Sequence, residues 1–231
     1  MSVPGFMPQF SCGGGGGITY VDGVTGSAID GNNVTLTLSG IVGLAEDDIV
    51  VIFGGFDRNA APAMPAGWTT IFNYWAGDHR LMSCYKIMGA SPDTSVTMPG
   101  SGDSRDATTY VASAFRGVDT TTPMDATPVM DEDLTATAPA TPPQITTVTA
   151  NAMLVVGLLV RAQDDTFTVP TGYAAKAYGE NLVAAVDFRS STACQTYKVA
   201  ASTGVQTPGG FTDFDLALRT PITQTVALRP A

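Results

Sequence analysis

Apolar residues along the chain fall into two arrangements, and both belong to strands. Ile49 to Phe53 and Met153 to Val160 are continuous apolar runs rich in β-branched residues, the pattern of central strands covered on both faces. Val34 to Leu38 alternates strictly between apolar and polar positions, as a strand does when one face meets the core. Further strands are predicted at Ile71–Trp75, Leu81–Ile87, Tyr110–Phe115, Ile145–Val148, Leu182–Phe188, Phe211–Leu218 and Thr223–Leu228. That is about a dozen short strands with turn residues at regular spacing, which predicts an all-β, antiparallel, jelly-roll-like β-sandwich.

The strands are organised as a weak internal duplication. The first half reads Asp48-Ile-Val-Val-Ile-Phe53, Pro65-Ala-Gly-Trp68, Tyr85-Lys86 and Ala114-Phe115-Arg116. The second reads Met153-Leu-Val-Val-Gly-Leu158, Pro170-Thr-Gly-Tyr173, Tyr197-Lys198 and Ala227-Leu228-Arg229. The offset between matching anchors grows from 105 at the Pro-x-Gly-aromatic motif to 112 at Tyr-Lys and 113 at the terminal Arg. In Pro-x-Gly-aromatic, Pro fixes φ and Gly permits a positive φ, so each copy predicts a turn that delivers an aromatic side chain to the core. Trp68 and Tyr173 are therefore expected to be mostly buried.

The domain reading follows from these anchors. Residues 1–30 are expected to be a Gly-rich docking arm and 31–231 a composite sandwich: a half-repeat at 31–118, a linker at 119–143 and a half-repeat at 144–231. The linker segment is rich in Pro, Thr, Ala and acids and lacks apolar periodicity. Met124, Val129 and Met130 within it look like packing residues against a shared body. The arm includes five consecutive glycines, Gly13 to Gly17, and three apolar residues, Phe6, Met7 and Phe10, that have no core of their own to enter. These three are its expected assembly contacts.

The series Pro65-Ala-Gly-Trp68, Tyr85-Lys86, Ala114-Phe-Arg-Gly117-Val-Asp119, Pro123-Met-Asp125 and Val226-Ala-Leu-Arg-Pro230 resembles a β-sandwich family of structural proteins of tailed bacteriophages and bacterial surface proteins. The resemblance spans residues about 45 to 230, and the chain departs from the family in beginning with the Gly-rich stretch. It implies a virion or surface structural module with no catalytic residues, and the expectation taken from it is a non-enzymatic structural component of a tailed-phage virion, a head decoration or tail-associated protein. The implied partners are other virion proteins and further copies of the chain, and the implied location is the virion after synthesis in the host cytoplasm.

Composition narrows the chemistry. Hydrophobic residues make up 44% and charged residues 14% of the chain, and Thr occurs 31 times against three Lys, which favours strands and turns over helices. Acids outnumber bases 21 to 11 for a net charge of −10, a field that repels phosphate backbones and argues against nucleic-acid binding. The longest apolar run, Met153–Val160, is too short for a membrane span, so membrane insertion is not expected. Three cysteines without metal-ligand spacing, Cys12, Cys84 and Cys194, are expected to be reduced thiols. No cofactor is expected.

Several residues could carry chemistry. Gly13–Gly17 lacks the Gly-Lys-Ser/Thr of a phosphate loop. The single His, His79, sits in Gly77-Asp78-His79-Arg80 after Tyr74-Trp75, which reads as an exposed hairpin tip rather than a triad. Asp103/Asp106, Asp131-Glu-Asp133 and Asp213/Asp215 are acid-rich turns; no EF-hand spacing links them, so solvated loops are expected over calcium ligands. The alternative to a structural role is a carbohydrate- or receptor-binding module for a host-surface glycan. Its ligand platform would be Tyr74, Trp75, Asp78 and His79, with Phe72 and Tyr74 on one strand face and Trp75 on the other.

Overall fold

A computed structural model of the chain describes residues 17–77, 79–104, 106–132, 139–160, 168–181, 191–212 and 221–231. Fourteen strands are present among them. The first seven are β1 (Thr19–Ala28), β2 (Val34–Leu36), β3 (Ile49–Phe56), β4 (Thr69–Trp75), β5 (Arg80–Ile87), β6 (Val96–Met98) and β7 (Thr108–Arg116). The second seven are β8 (Val129–Glu132), β9 (Ile145–Thr147), β10 (Ala152–Val160), β11 (Ala174–Asn181), β12 (Ser191–Ala200), β13 (Gly204–Gln206) and β14 (Ile222–Leu228). The predicted strands Leu182–Phe188 and Phe211–Leu218 lie outside the described residues, apart from Phe211 and Thr212. No helix among the described residues is long and apolar enough to cross a membrane.

The two sevens fold alike. One five-stranded sheet runs β1-β7-β3-β5-β4, the other β8-β14-β10-β12-β11, and the small sheets β2-β6 and β9-β13 complete each half. Within each half the first strand pairs with the seventh, the second with the sixth and the third with the fifth, all antiparallel. This nested pairing is the rolled-up hairpin of a jelly roll. The protein is thus an all-β sandwich of two repeats with one topology.

The large sheets pack face to face and the small sheets cover their outer faces. Ile49, Val51 and Phe115 share a core with Met153, Val155, Val226 and Leu228, while Phe53, Leu81 and Val111 share one with Leu159, Ala193 and Ile222. On the outside, Val34, Leu36, Val96 and Met98 close over Val50, Ile52 and Met82. That layering explains the continuous apolar runs: every residue of β3 and β10 is buried, because both faces of each strand meet protein. At the sheet interface Tyr20 stacks on Tyr197, with ring centroids 4.7 Å apart, and Phe115 meets both rings edge-on.

Register makes Ile49 the counterpart of Met153. Ile49 lies between Ile87 and Phe115, and Met153 between Val199 and Leu228. By the same register Phe53 corresponds to Gly157, and these two residues touch: a Cβ on Gly157 would meet the Phe53 ring at 2.6 Å. Contact between equivalent positions is what a pseudo-two-fold axis through the sheet interface requires.

Two boundaries differ from the expectation. Thr19–Ala28 belongs to the sandwich as β1 rather than to a docking arm, paired with β7 from Thr19↔Arg116 to Ala28↔Thr108. Its Gly23, Gly26 and Asp22 mask a strand signal, because an edge strand with one pairing partner is only half covered. Val129–Glu132, inside the segment read as linker, forms β8 and occupies the same place beside β14.

Candidate functional site

Of the expected arm contacts, Phe6, Met7 and Phe10 lie outside the described residues, as do Cys12 and Asp78. The remaining platform residues separate. Tyr74 is 40% exposed at the edge of its sheet and Trp75 is half-buried. His79 is 2% exposed, so it is not the surface-loop residue that the sequence suggests. Ala76 N–H donates to the His79 carbonyl at 2.8 Å, closing the hairpin so tightly that His79 stands at the entrance of β5 between buried Ala76 and buried Arg80. Phe72 turns toward the core between the sheets, as alternation within β4 predicts for the face it shares with Tyr74.

What the hairpin brings together is Trp75 and Arg80, directly opposed in register. Arg80 lies on the outer sheet face, two residues from Met82 of the outer core. Its other neighbour in register is Phe56, so its aliphatic stem runs between two aromatic positions and only 6% of the residue is exposed. The guanidinium forks onto two exposed amides: Nη1 donates to Asn73 Oδ1 at 2.6 Å and Nη2 to Asn59 Oδ1 at 3.2 Å. Asn73 is itself held by its Nδ2 donating to the Pro62 carbonyl at 3.0 Å. Burial lowers the Arg80 pKa. Sequence reasoning missed this residue, although two strand ends flanking a four-residue turn are bound to face each other.

A concave feature lies at the opposite end of the strands. A cleft of about 490 Å³ is lined by Glu46, Asp47, Asp48, Arg116, Asp119 and their neighbours. Arg116 Nε and Nη2 bind the two Asp48 carboxylate oxygens at 2.8 and 2.7 Å, and Nη2 also donates to the Gly43 carbonyl at 2.7 Å. Asp119 accepts the N–H groups of Thr121 and Thr122, which pull its carboxyl below the usual range. The carboxylates of Asp48 and Asp119 are thus engaged in holding loops. Among the described residues no group of three or more His, Cys, Asp or Glu could hold a metal. Of the acid-rich turns, Asp103 pairs with Arg58, while Asp133, Asp213 and Asp215 lie outside the described residues. Cys84 and Cys194 are buried thiols; burial pushes Cys84 up to about 12 and Cys194 higher still, which suppresses the reactive thiolate.

The two repeat anchors that sequence reasoning singled out prove to be turns. Trp68 N–H donates to the Pro65 carbonyl at 3.2 Å and Tyr173 N–H to the Pro170 carbonyl at 3.0 Å, with Gly67 at φ +79° and Gly172 at φ +81°. A glycine in the third position is what this turn requires. Trp68 is 9% exposed in the outer core, while Tyr173 is half-buried and burial pushes its phenol up to about 12. The adjacent lysines are occupied: Lys86 pairs with Asp93 at 2.6 Å, and Lys198 lies 5.6 Å from the centre of the Tyr173 ring. Comparison of the chain with family models, with curated proteins and with solved structures finds no match.

Proposed function

We propose that the protein is a non-enzymatic structural component of a tailed bacteriophage virion, a head decoration or tail-associated protein that displays the double sandwich and docks through its N-terminal segment. The observation that supports this reading is how the root of that segment is built. Ile18 is 3% exposed within the core shared by both repeats, and the strand that follows is fixed along its length to β7. The Gly-rich, uncharged stretch therefore leads into a residue buried in the core that both repeats share, so that a pull on it is borne by both sheets together. Phe6, Met7 and Phe10 are its docking contacts, and virion proteins and further copies of the chain are its partners.

Deletion of residues 2–16 tests this. The truncated protein should keep its β circular dichroism and its melting temperature but lose incorporation into particles. Normal incorporation would place docking on the sandwich itself. A second reading, recognition of a host-surface glycan, is favoured by one observation: the half-buried Trp75 on the edge strand β4 stands opposite Arg80 in register.

A further inference from the structure

Arg80 stands apart among the cations of the described residues. Arg58, Lys86, Arg116 and Arg229 each have a carboxylate partner, Asp103, Asp93, Asp48 and Asp125, and Lys198 lies over an aromatic ring. Arg80 is buried, yet among the described residues its guanidinium has only the two neutral amide oxygens of Asn59 and Asn73, and its Nε has no hydrogen-bond acceptor. Burying a charge without a counter-charge is costly. In a chain with 21 acids against 11 bases, a carboxylate at residue 59 or 73 would have removed that cost. Two amides instead hold the fork in place, and no carboxylate among the described residues neutralises it.

We propose that Arg80, Asn59, Asn73 and Trp75 form a binding site for a carboxylated sugar, a pyranose bearing a carboxylate as in uronic or sialic acids. The proposal rests on the glycan reading above and names its ligand class. The guanidinium is planar and matches a carboxylate. The longer of its two bonds, 3.2 Å to exposed Asn59, is the one an incoming carboxylate replaces, exchanging a neutral acceptor for a charged and stronger one. Asn59 then turns its Nδ2 donor toward a ring hydroxyl. Asn73 stays fixed by Pro62, and the partly exposed face of Trp75 lies where the apolar side of a sugar ring can rest on it. Simple anions satisfy the first of these contacts, and neutral sugars only the last two.

The test uses the full chain, titrated with methyl glucuronide, N-acetylneuraminic acid, methyl glucoside and acetate, and followed by tryptophan fluorescence and calorimetry. One or both carboxylated sugars should bind about 10- to 100-fold more tightly than methyl glucoside and acetate, the factor that a charge-assisted hydrogen bond supplies. The variant Asn59→Asp, at an exposed position, supplies the missing carboxylate from the protein. It should raise the melting temperature and weaken carboxylated-sugar binding by a similar factor. Arg80→Met should fold, because it replaces a buried charge by an apolar chain of similar length, and should abolish the preference for carboxylate. Equal binding of methyl glucoside overturns the proposal and leaves the glycan reading intact, whereas no binding of any sugar overturns both. Acetate binding as tightly as the sugars, or Asn59→Asp leaving binding unchanged, also overturns the proposal.

Discussion

The two repeats share one strand order but solve their common interface with different side chains. Where the first repeat places Phe53, the second places Gly157, and a Cβ there would sit 2.6 to 2.8 Å from the Phe53 ring. Flanking positions differ in the same sense. Ser83 and Val111 sit beside Phe53, whereas Gln195 and Gln224 sit beside Gly157, and Ser83 Oγ donates to Gln224 Oε1 across the interface at 2.8 Å. One half supplies volume and the other the space and the polar rim around it. Sequence divergence between the halves is therefore constrained by complementary pairs rather than by likeness at each position.

Removing the large partner should break this comparison most. Phe53→Ala is expected to cost about 3–5 kcal/mol, the range for deleting a buried aromatic, and Gly157→Ala alone about 1–3 kcal/mol by overpacking. In the double variant the new methyl occupies part of the vacated space, so the combined loss in urea denaturation should fall short of the sum. Strict additivity would show that the two positions do not meet.

The turn aromatics come next. Trp68→Ala should lower stability by about 3–5 kcal/mol, and Tyr173→Ala by about half as much, in keeping with its partial exposure. Equal losses in parallel melts would contradict the difference in burial.

Acid should then separate the repeats through Asp125. Its buried carboxyl is opposed by desolvation but accepts the N–H groups of Val148 and Thr149 and faces Arg229, with the net result that its pKa is lowered. A depressed carboxyl contributes stability above its unfolded value of about 3.9, and loses it as pH falls through the folded value. Asp125→Asn should therefore cost roughly 1–3 kcal/mol at neutral pH, and its stability should vary less than the wild type's below about pH 4. The smallest effect is expected at Val42 and Val148, whose N–H groups meet Asp22 and Asp125 while their side chains are 78% and 62% exposed. Val42→Thr and Val148→Thr should each stay within about 0.5 kcal/mol.

Much of the framework is legible in the sequence because burial on both faces leaves an unmistakable run, as in β3 and β10, and because Pro-x-Gly permits few turns. The edge strands β1 and β8 and the interior strand β12 are not. β1 carries glycine and an acid, β8 carries two acids, and β12 carries Ser, Thr, Ala and Gln where an apolar pattern would announce it, although these polar groups are buried. Anchor order reveals the duplication, but register shows Ile49 rather than Asp48 as the counterpart of Met153, and a slip of one residue exchanges the two faces of a strand. The site around Arg80 escapes a linear reading for a related reason. Trp75 and Arg80 are visible as neighbours of a turn, whereas Asn59 arrives from a separate loop, and that none of the described carboxylates pairs with Arg80 is apparent only in three dimensions.

The pairing of Phe53 with Gly157 also bears on how such a molecule can arise. In a symmetric dimer of a single repeat, the residue on the axis faces its own copy, so any choice there is doubled: two phenylalanines would collide and two glycines would leave a void. Joining both copies in one polypeptide lifts that constraint, because a mutation then alters one side of the interface and its counterpart is free to compensate. A large ring seated on a bare backbone is a solution open to a gene encoding both halves and closed to a gene encoding one.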